Sequence, residues 1–112
     1  MDEEARRARI AANESVFRSV NEKVEDINRA FSAATQSMSV VCECGDINCT
    51  EQLEIDVSTY EVVRSDPTWF VIVPGHEVPD VEDIVARHDG FHIVAKHKGA
   101  GESVAIATDP RS

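Results

Sequence analysis

Apolar residues in the first third of the chain recur with a helical period. Ile10, Phe17, Val24 and Phe31 stand seven residues apart, and Asn13, Val20, Ile27 and Ala34 follow each of them by three. This is an a/d seam sustained for about three and a half heptads. No Gly or Pro interrupts residues 3–34, and the good helix formers Arg, Glu and Ala are frequent there. The pattern predicts one long amphipathic helix. Two readings of its apolar strip stay open: packing on its own domain, or a homodimeric coiled coil in which Asn13 is the buried polar residue that fixes register. A seam this long exceeds what a following core of about 65 residues covers in full, which keeps the dimer in view.

Beyond a short polar linker from Thr35 to Ser39, the period drops to two. Val40 and Val41 lead as a strand into a cysteine cluster, and Leu53, Ile55 and Val57 alternate with Glu54 and Asp56 as a half-buried strand leaving it. Ser58-Thr59-Tyr60-Glu61 fits a capping box and predicts a short helix to about Arg64, ended by Asp66-Pro67. Thr68 to Val73, β-branched and aromatic, is the expected central strand. Pro74-Gly75 is a turn that presents His76, and Pro79 closes the loop. Ile84-Val85-Ala86 and Phe91-His92-Ile93-Val94 flank Asp89-Gly90 as a hairpin, with a short helix over 80–87 as the alternative. After Lys98 the composition turns to Gly, Ser, Asp and Pro, which predicts a frayed tail.

The expected fold class is therefore α+β: a long N-terminal amphipathic helix followed by a small antiparallel β domain stapled by zinc. The expected boundaries are 1–35 for the helix, a candidate dimerisation arm, 36–98 for the zinc-binding β-rich domain and 99–112 for a flexible tail.

Composition supplies the reason for a staple. The chain has 112 residues, 42% of them apolar but only six aromatic, so its core is modest. Its three cysteines all lie within eight residues, an odd and crowded set that suits metal binding or redox chemistry better than a disulfide framework. The acidic N-terminus has no secretory h-region, and the longest apolar run, Trp69 to Pro74, is far too short for a membrane span. A cytoplasmic setting with no membrane association is the expectation, with thiols reduced or metal-bound. The net charge of −10 is uneven: residues 36–112 carry fourteen acids against five bases, while residues 1–35 carry seven against six. The acidic segment would repel a phosphate backbone, which argues against nucleic-acid binding.

Cys42, Cys44 and Cys49, in the spacing C-x-C-x4-C, are three local thiolate donors for a tetrahedral zinc ion. The fourth ligand must come from elsewhere. His76, presented by its turn, is the choice over His92, which alternates with apolar neighbours, and over His88 and His97, expected to face water. Asp46, Glu43 or a water molecule are alternatives. Gly45 is expected to take a positive φ that lets backbone N–H groups approach the sulfurs. Free buried thiols, or a strained redox pair of Cys42 with Cys44, are the competing readings.

The stretch from Val41 to Lys96 resembles an uncharacterised family of short bacterial, mainly actinobacterial, proteins. The resemblance rests on Cys42-Glu43-Cys44-Gly45, Cys49-Thr50-Glu51, Tyr60-Glu61-Val62-Val63-Arg64 and Pro74-Gly75-His76, with Asn13 to Arg18 and Val20-Asn21-Glu22 in the helix. It implies a freestanding protein and no particular activity.

The expected function is a zinc-binding interaction or regulatory module. In it the acidic β domain presents a surface and the helix dimerises or docks to an unidentified protein partner. Tyr60, Glu61, Arg64 and Trp69 are the candidate contact residues. A thiol and zinc redox sensor is the alternative, and a zinc-dependent hydrolase ranks below both. The H-x-E and P-C-x-x-C signature of the zinc deaminases is absent. Glu43 and Glu77 could serve as a base, and Cys49 with His76 could form a nucleophile pair, but the sequence marks no third orienting group. The expectation leans against an enzyme.

Overall fold

Asp2 accepts a hydrogen bond from the Ala5 backbone N–H at 2.7 Å and so caps the first helix, α1 (Glu3–Phe31). The computed structural model describes residues 2–31 and 37–111. Ala34 and the linker residues Thr35 and Gln36 lie outside them. The stripe of α1 that is buried differs from the apolar seam. Ala11, Glu14, Ser15, Arg18, Asn21 and Glu25 are buried, one residue further along the chain, whereas Val20 and Ile27 are exposed. Ile10, Phe17 and Val24 lie at the edge of the docked face and are half-buried. The physical reason is that α1 docks through hydrogen bonds and ion pairs, so hydrophobic periodicity does not locate its contact face.

Ser37, Met38 and Ser39, expected in the linker, belong instead to β1 (Ser37–Val41), because Met38 is buried opposite Ile55 just as Val40 is opposite Leu53 on the antiparallel β2 (Gln52–Asp56). These four side chains point inward, and Ser39, Glu54 and Asp56 point outward. The chain passes from β2 directly into α2 (Val57–Arg64). Asp56 stands at its N-cap without a side-chain cap, and Ser58 is already inside the helix, so the expected capping box does not form.

Three further strands, β3 (Trp69–Ile72), β4 (Glu82–His88) and β5 (Phe91–Lys96), make an antiparallel sheet in the order β3-β5-β4. Asp89-Gly90 turns the β4–β5 hairpin, with Gly90 at φ +84°, and the helical alternative for 80–87 is not realised. The central strand is β5, not β3. The apolar run of β3 is nevertheless buried at its edge, because the cysteine loop lies along it: the Glu43 N–H donates to Val71 O at 2.8 Å and the Val71 N–H to Glu43 Oε1 at 3.0 Å. A covered edge reads in sequence like a central strand.

The expected tail is also ordered. Residues Ala100–Ala107 form α3, packed on α1. A Cβ added at Gly101 would sit 3.2 Å from Lys96 Cε and 3.5 Å from Arg7 O, so the small residues that suggested a tail serve close helix packing. Ser15 and Thr108 share a 2.7 Å hydroxyl hydrogen bond, and Arg111 pairs with Glu22, Glu25 and Glu61 at 2.9, 2.7 and 2.6 Å.

The fold is α+β, and among the described residues the core forms two apolar clusters. One joins Met38, Val40, Leu53, Ile55, Tyr60, Val63, Val71, Phe91 and Ile93; the other joins Cys42, Cys44, Phe70, Ile72, Val94 and Ala105. Tyr60 and Arg64 are buried and not surface contacts, while Glu61 and Trp69 are half-buried. Arg64 is held there by Glu22 and Asp109. Polar groups line the α1 interface. Lys96 Nζ meets Glu14 at 2.7 Å and Glu82 at 3.1 Å with all three side chains buried, and Arg18 lies 4.6 Å over the Phe70 ring. Among the described residues no helix is long and apolar enough to cross a membrane.

Candidate metal centre

One step past the β1–β2 ladder, the Cys42 N–H donates to Glu51 O at 3.0 Å, which pins the two ends of the cysteine loop together. Within the loop, Asp46 makes a turn: its carbonyl accepts from the Cys49 N–H and its carboxylate from the Asn48 N–H, both at 2.9 Å. This returns Cys49 to the side of Cys42 and Cys44. Gly45 does not take a positive φ; Gly75, Gly90 and Gly99 do. Glycine is needed at 45 because a Cβ there would lie 2.7 Å from Ile10 Cγ2 on α1. Asn13, expected as a coiled-coil register residue, donates to Gly45 O at 2.9 Å, so α1 grips the loop from its open side.

His76 arrives from the other sheet. The turn before it uses Gly75 at φ +93°, closed by the His76 N–H donating to Val73 O at 3.1 Å. Glu77 accepts from the Gly75 N–H at 3.2 Å, which engages the carboxylate considered as a base. The Val73 N–H points into Cys42 Sγ at 3.2 Å.

Cys42, Cys44, Cys49 and His76 each offer one ligand atom, and these atoms all lie within 4.8 Å of one another. His76 Nδ1 is 3.6 Å from Cys42 Sγ and 3.7 Å from Cys49 Sγ. Cys42 and Cys44 are buried, Cys49 and His76 half-buried. The group could hold a metal ion. Its electrostatics favour a cation. A hydrogen bond from Cys42 brings Cys44 down to about 5, while the same bond and burial push Cys42 far above the ordinary thiol range. Burial also raises Cys49, and the Cys44 sulfur raises His76. Burial and crowding thus hold the Cys42 and Cys49 thiols back from ionising, whereas a divalent ion would let all three ionise.

The other candidates lie elsewhere. His88 stacks on Phe91 with ring centroids 4.7 Å apart, His97 meets Asp83 at 3.0 Å, and His92 sits on β5 with Nδ1 buried and unpartnered. The Asp46 carboxylate is occupied within its turn. Glu43, between two cysteines in sequence, turns its carboxylate away from them. It accepts from Asn21 Nδ2 at 2.9 Å, Tyr60 OH at 2.9 Å and the Val71 N–H at 3.0 Å, and burial raises it against these donors.

One functional residue was missed. Glu51 Oε2 lies 2.6 Å from His76 Nε2, on the far side of the ring from the sulfurs. It supplies the third orienting group that a Cys49–His76 pair lacked. However, Nδ1 is equidistant within 0.1 Å from two thiols and a third stands beside them, a convergence that a single nucleophile does not need. In the sequence Glu51 stands two residues after Cys49 and belongs to the Cys49-Thr50-Glu51 stretch, but nothing there ties it to His76.

No family model, no curated protein and no solved structure matches the chain.

Proposed function

We propose that the chain is a zinc-stapled module in which Cys42, Cys44, Cys49 and His76 hold one structural zinc ion. The observation that carries this reading is the pair of Nδ1···Sγ separations, 3.6 and 3.7 Å. With Zn–S of about 2.3 Å and Zn–N of about 2.0–2.1 Å, the S···N edge of a tetrahedron is about 3.6 Å. Three thiolates and one imidazole close the coordination shell, so the ion has no open position at which to activate water. Its role is to join the β1–β2 hairpin to the loop after β3, two parts of a small fold whose shared core is modest. Cobalt titration tests this: one equivalent should give the intense visible bands of a tetrahedral thiolate site, and zinc should abolish them. Weak, octahedral-type absorption would contradict a tetrahedral site.

Around that staple the module offers a contact surface, and a second copy of the chain is the partner this reading assigns to α1. Val16, Val20 and Ile27, 53%, 42% and 59% exposed, lie together on the face opposite the docked one.

A second reading is favoured by the partial exposure of Cys49 beside two buried thiols. A peroxide would oxidise two of the thiolates to a disulfide, itself reduced to water, and the ion would leave. Zinc release with one disulfide per chain at low peroxide, reversed by a thiol reductant, would support a sensor.

A further inference from the structure

Cys42 and His76 are the first and last members of the cluster in sequence, 34 residues apart, and one residue touches both. The Glu51 carbonyl accepts from the Cys42 N–H at 3.0 Å, and the Glu51 carboxylate meets His76 Nε2 at 2.6 Å. We infer that Glu51 is the positioning residue of the metal centre, fixing His76 in the tautomer that keeps the proton on Nε2 and turns the Nδ1 lone pair toward the three sulfurs. This deepens the proposed zinc site and rests on it.

The chemistry follows from the two faces of the imidazole. A neutral ring has one N–H and one lone pair, and the partner of the first decides where the second points. His76 follows a turn, with its side chain 27% exposed, and the two faces of its ring meet different partners: Nδ1 the sulfurs of Cys42 and Cys49, Nε2 the Glu51 carboxylate. A carboxylate on Nε2 accepts the ring's one N–H and so leaves the lone pair on Nδ1. The same hydrogen bond raises the basicity of the coordinating nitrogen, as carboxylates behind ligand histidines do. The Glu51 side chain is itself 57% exposed, so its effect is exerted through His76 and not through the core.

The test compares the wild type with Glu51→Ala and Glu51→Gln, using zinc as the probe and the full chain throughout. Substitution at Glu51 leaves the backbone carbonyl in place, so the far-ultraviolet circular dichroism of each zinc-saturated variant should match the wild type. Glu51→Ala should weaken zinc binding about 10- to 100-fold in competition with a chelator. Glu51→Gln, whose amide oxygen still accepts from Nε2–H, should recover most of that loss. Nitrogen-15 spectra of the zinc-loaded wild type should show His76 protonated on Nε2 and metallated through Nδ1. Alanine binding zinc as tightly as the wild type, or a spectrum with the proton on Nδ1, would overturn the role of Glu51 and leave the zinc site standing. A wild type that binds no zinc would overturn both.

Discussion

Asn21, on α1, pairs with the backbone of Val41 as a neighbouring strand would. Its Nδ2 donates to Val41 O at 2.8 Å, and the Val41 N–H donates back to Oδ1 at 2.8 Å. The same Nδ2 donates to Glu43 Oε2 at 2.9 Å. One fully buried amide therefore joins the long helix to the residue before Cys42 and the residue after it. Asn21→Leu keeps the branched shape and strands the Val41 N–H and C=O, each at about 1–3 kcal/mol. Denaturant unfolding of the zinc-loaded protein should show a loss of at least about 2 kcal/mol, with α1 amides exchanging faster than those of β5. A loss under about 0.5 kcal/mol, the range of ordinary surface changes, would mean that α1 is held elsewhere.

The contact between Gly45 and Ile10 gives a second, independent measure of how α1 meets the loop. Gly45→Ala drives a methyl to 2.7 Å from Ile10 Cγ2 and should lower stability by about 1–3 kcal/mol, the usual cost of overpacking. Adding Ile10→Ala removes the obstructing atoms, so the double variant should be more stable than the sum of the single changes. Strict additivity in that cycle would show that the two residues do not touch.

Lys96 faces Glu14 and Glu82 in a site closed to water. Burial raises Glu14 well above the ordinary carboxylate range, with Glu82 adding to the rise and Lys96 opposing it. For an acid raised on folding, the folded state holds the proton more tightly than the unfolded chain. Stability is then full below the unfolded value and falls as pH rises toward the folded one. Lys96→Met removes the opposing charge and leaves two carboxylates together, at a cost of about 3–5 kcal/mol at neutral pH. The deficit should shrink as pH is lowered from neutral in zinc-saturated protein, as the raised Glu14 takes up its proton. A deficit independent of pH would show that only packing was lost.

Much of the fold was legible in the sequence because the relevant signals are local. The α1 helix, the β2 alternation and the Asp89-Gly90 hairpin each follow from neighbours within a few residues, whereas the first half of β1 read as linker. The cysteine spacing named three members of the cluster, and the Pro74-Gly75 turn pointed to the fourth. What misled were features whose meaning is set by distant partners. The heptad seam marked α1 as amphipathic but not which face docks, since Glu14, Arg18 and Asn21 bury themselves against groups on β1, β5 and α3. Gly101 and Ala105 read as tail residues because their use is closeness to α1. Glu51 looked like any exposed acid until His76 was folded beside it.

Self-association is tested on the outer face of α1. Val20→Glu puts a charge into the exposed strip without touching the core, unlike Val24, which packs against Met38 and its neighbours. If a second copy covers that strip, the wild type sediments as a dimer at micromolar concentration and Val20→Glu as a monomer that keeps its zinc and its secondary structure. A wild type that is monomeric throughout rules the dimer out.

Whether a metal ion completes this fold is decided by elemental analysis of the chain purified without chelator, followed by unfolding before and after strong chelation. One zinc per chain is expected. Removing the ion, or substituting Cys44→Ser, should unfold the hairpin and the loops around it, because metal-binding energy is folding energy in a site this small. Zinc well below half an equivalent, together with a melting curve that chelation does not move, would contradict a structural zinc ion.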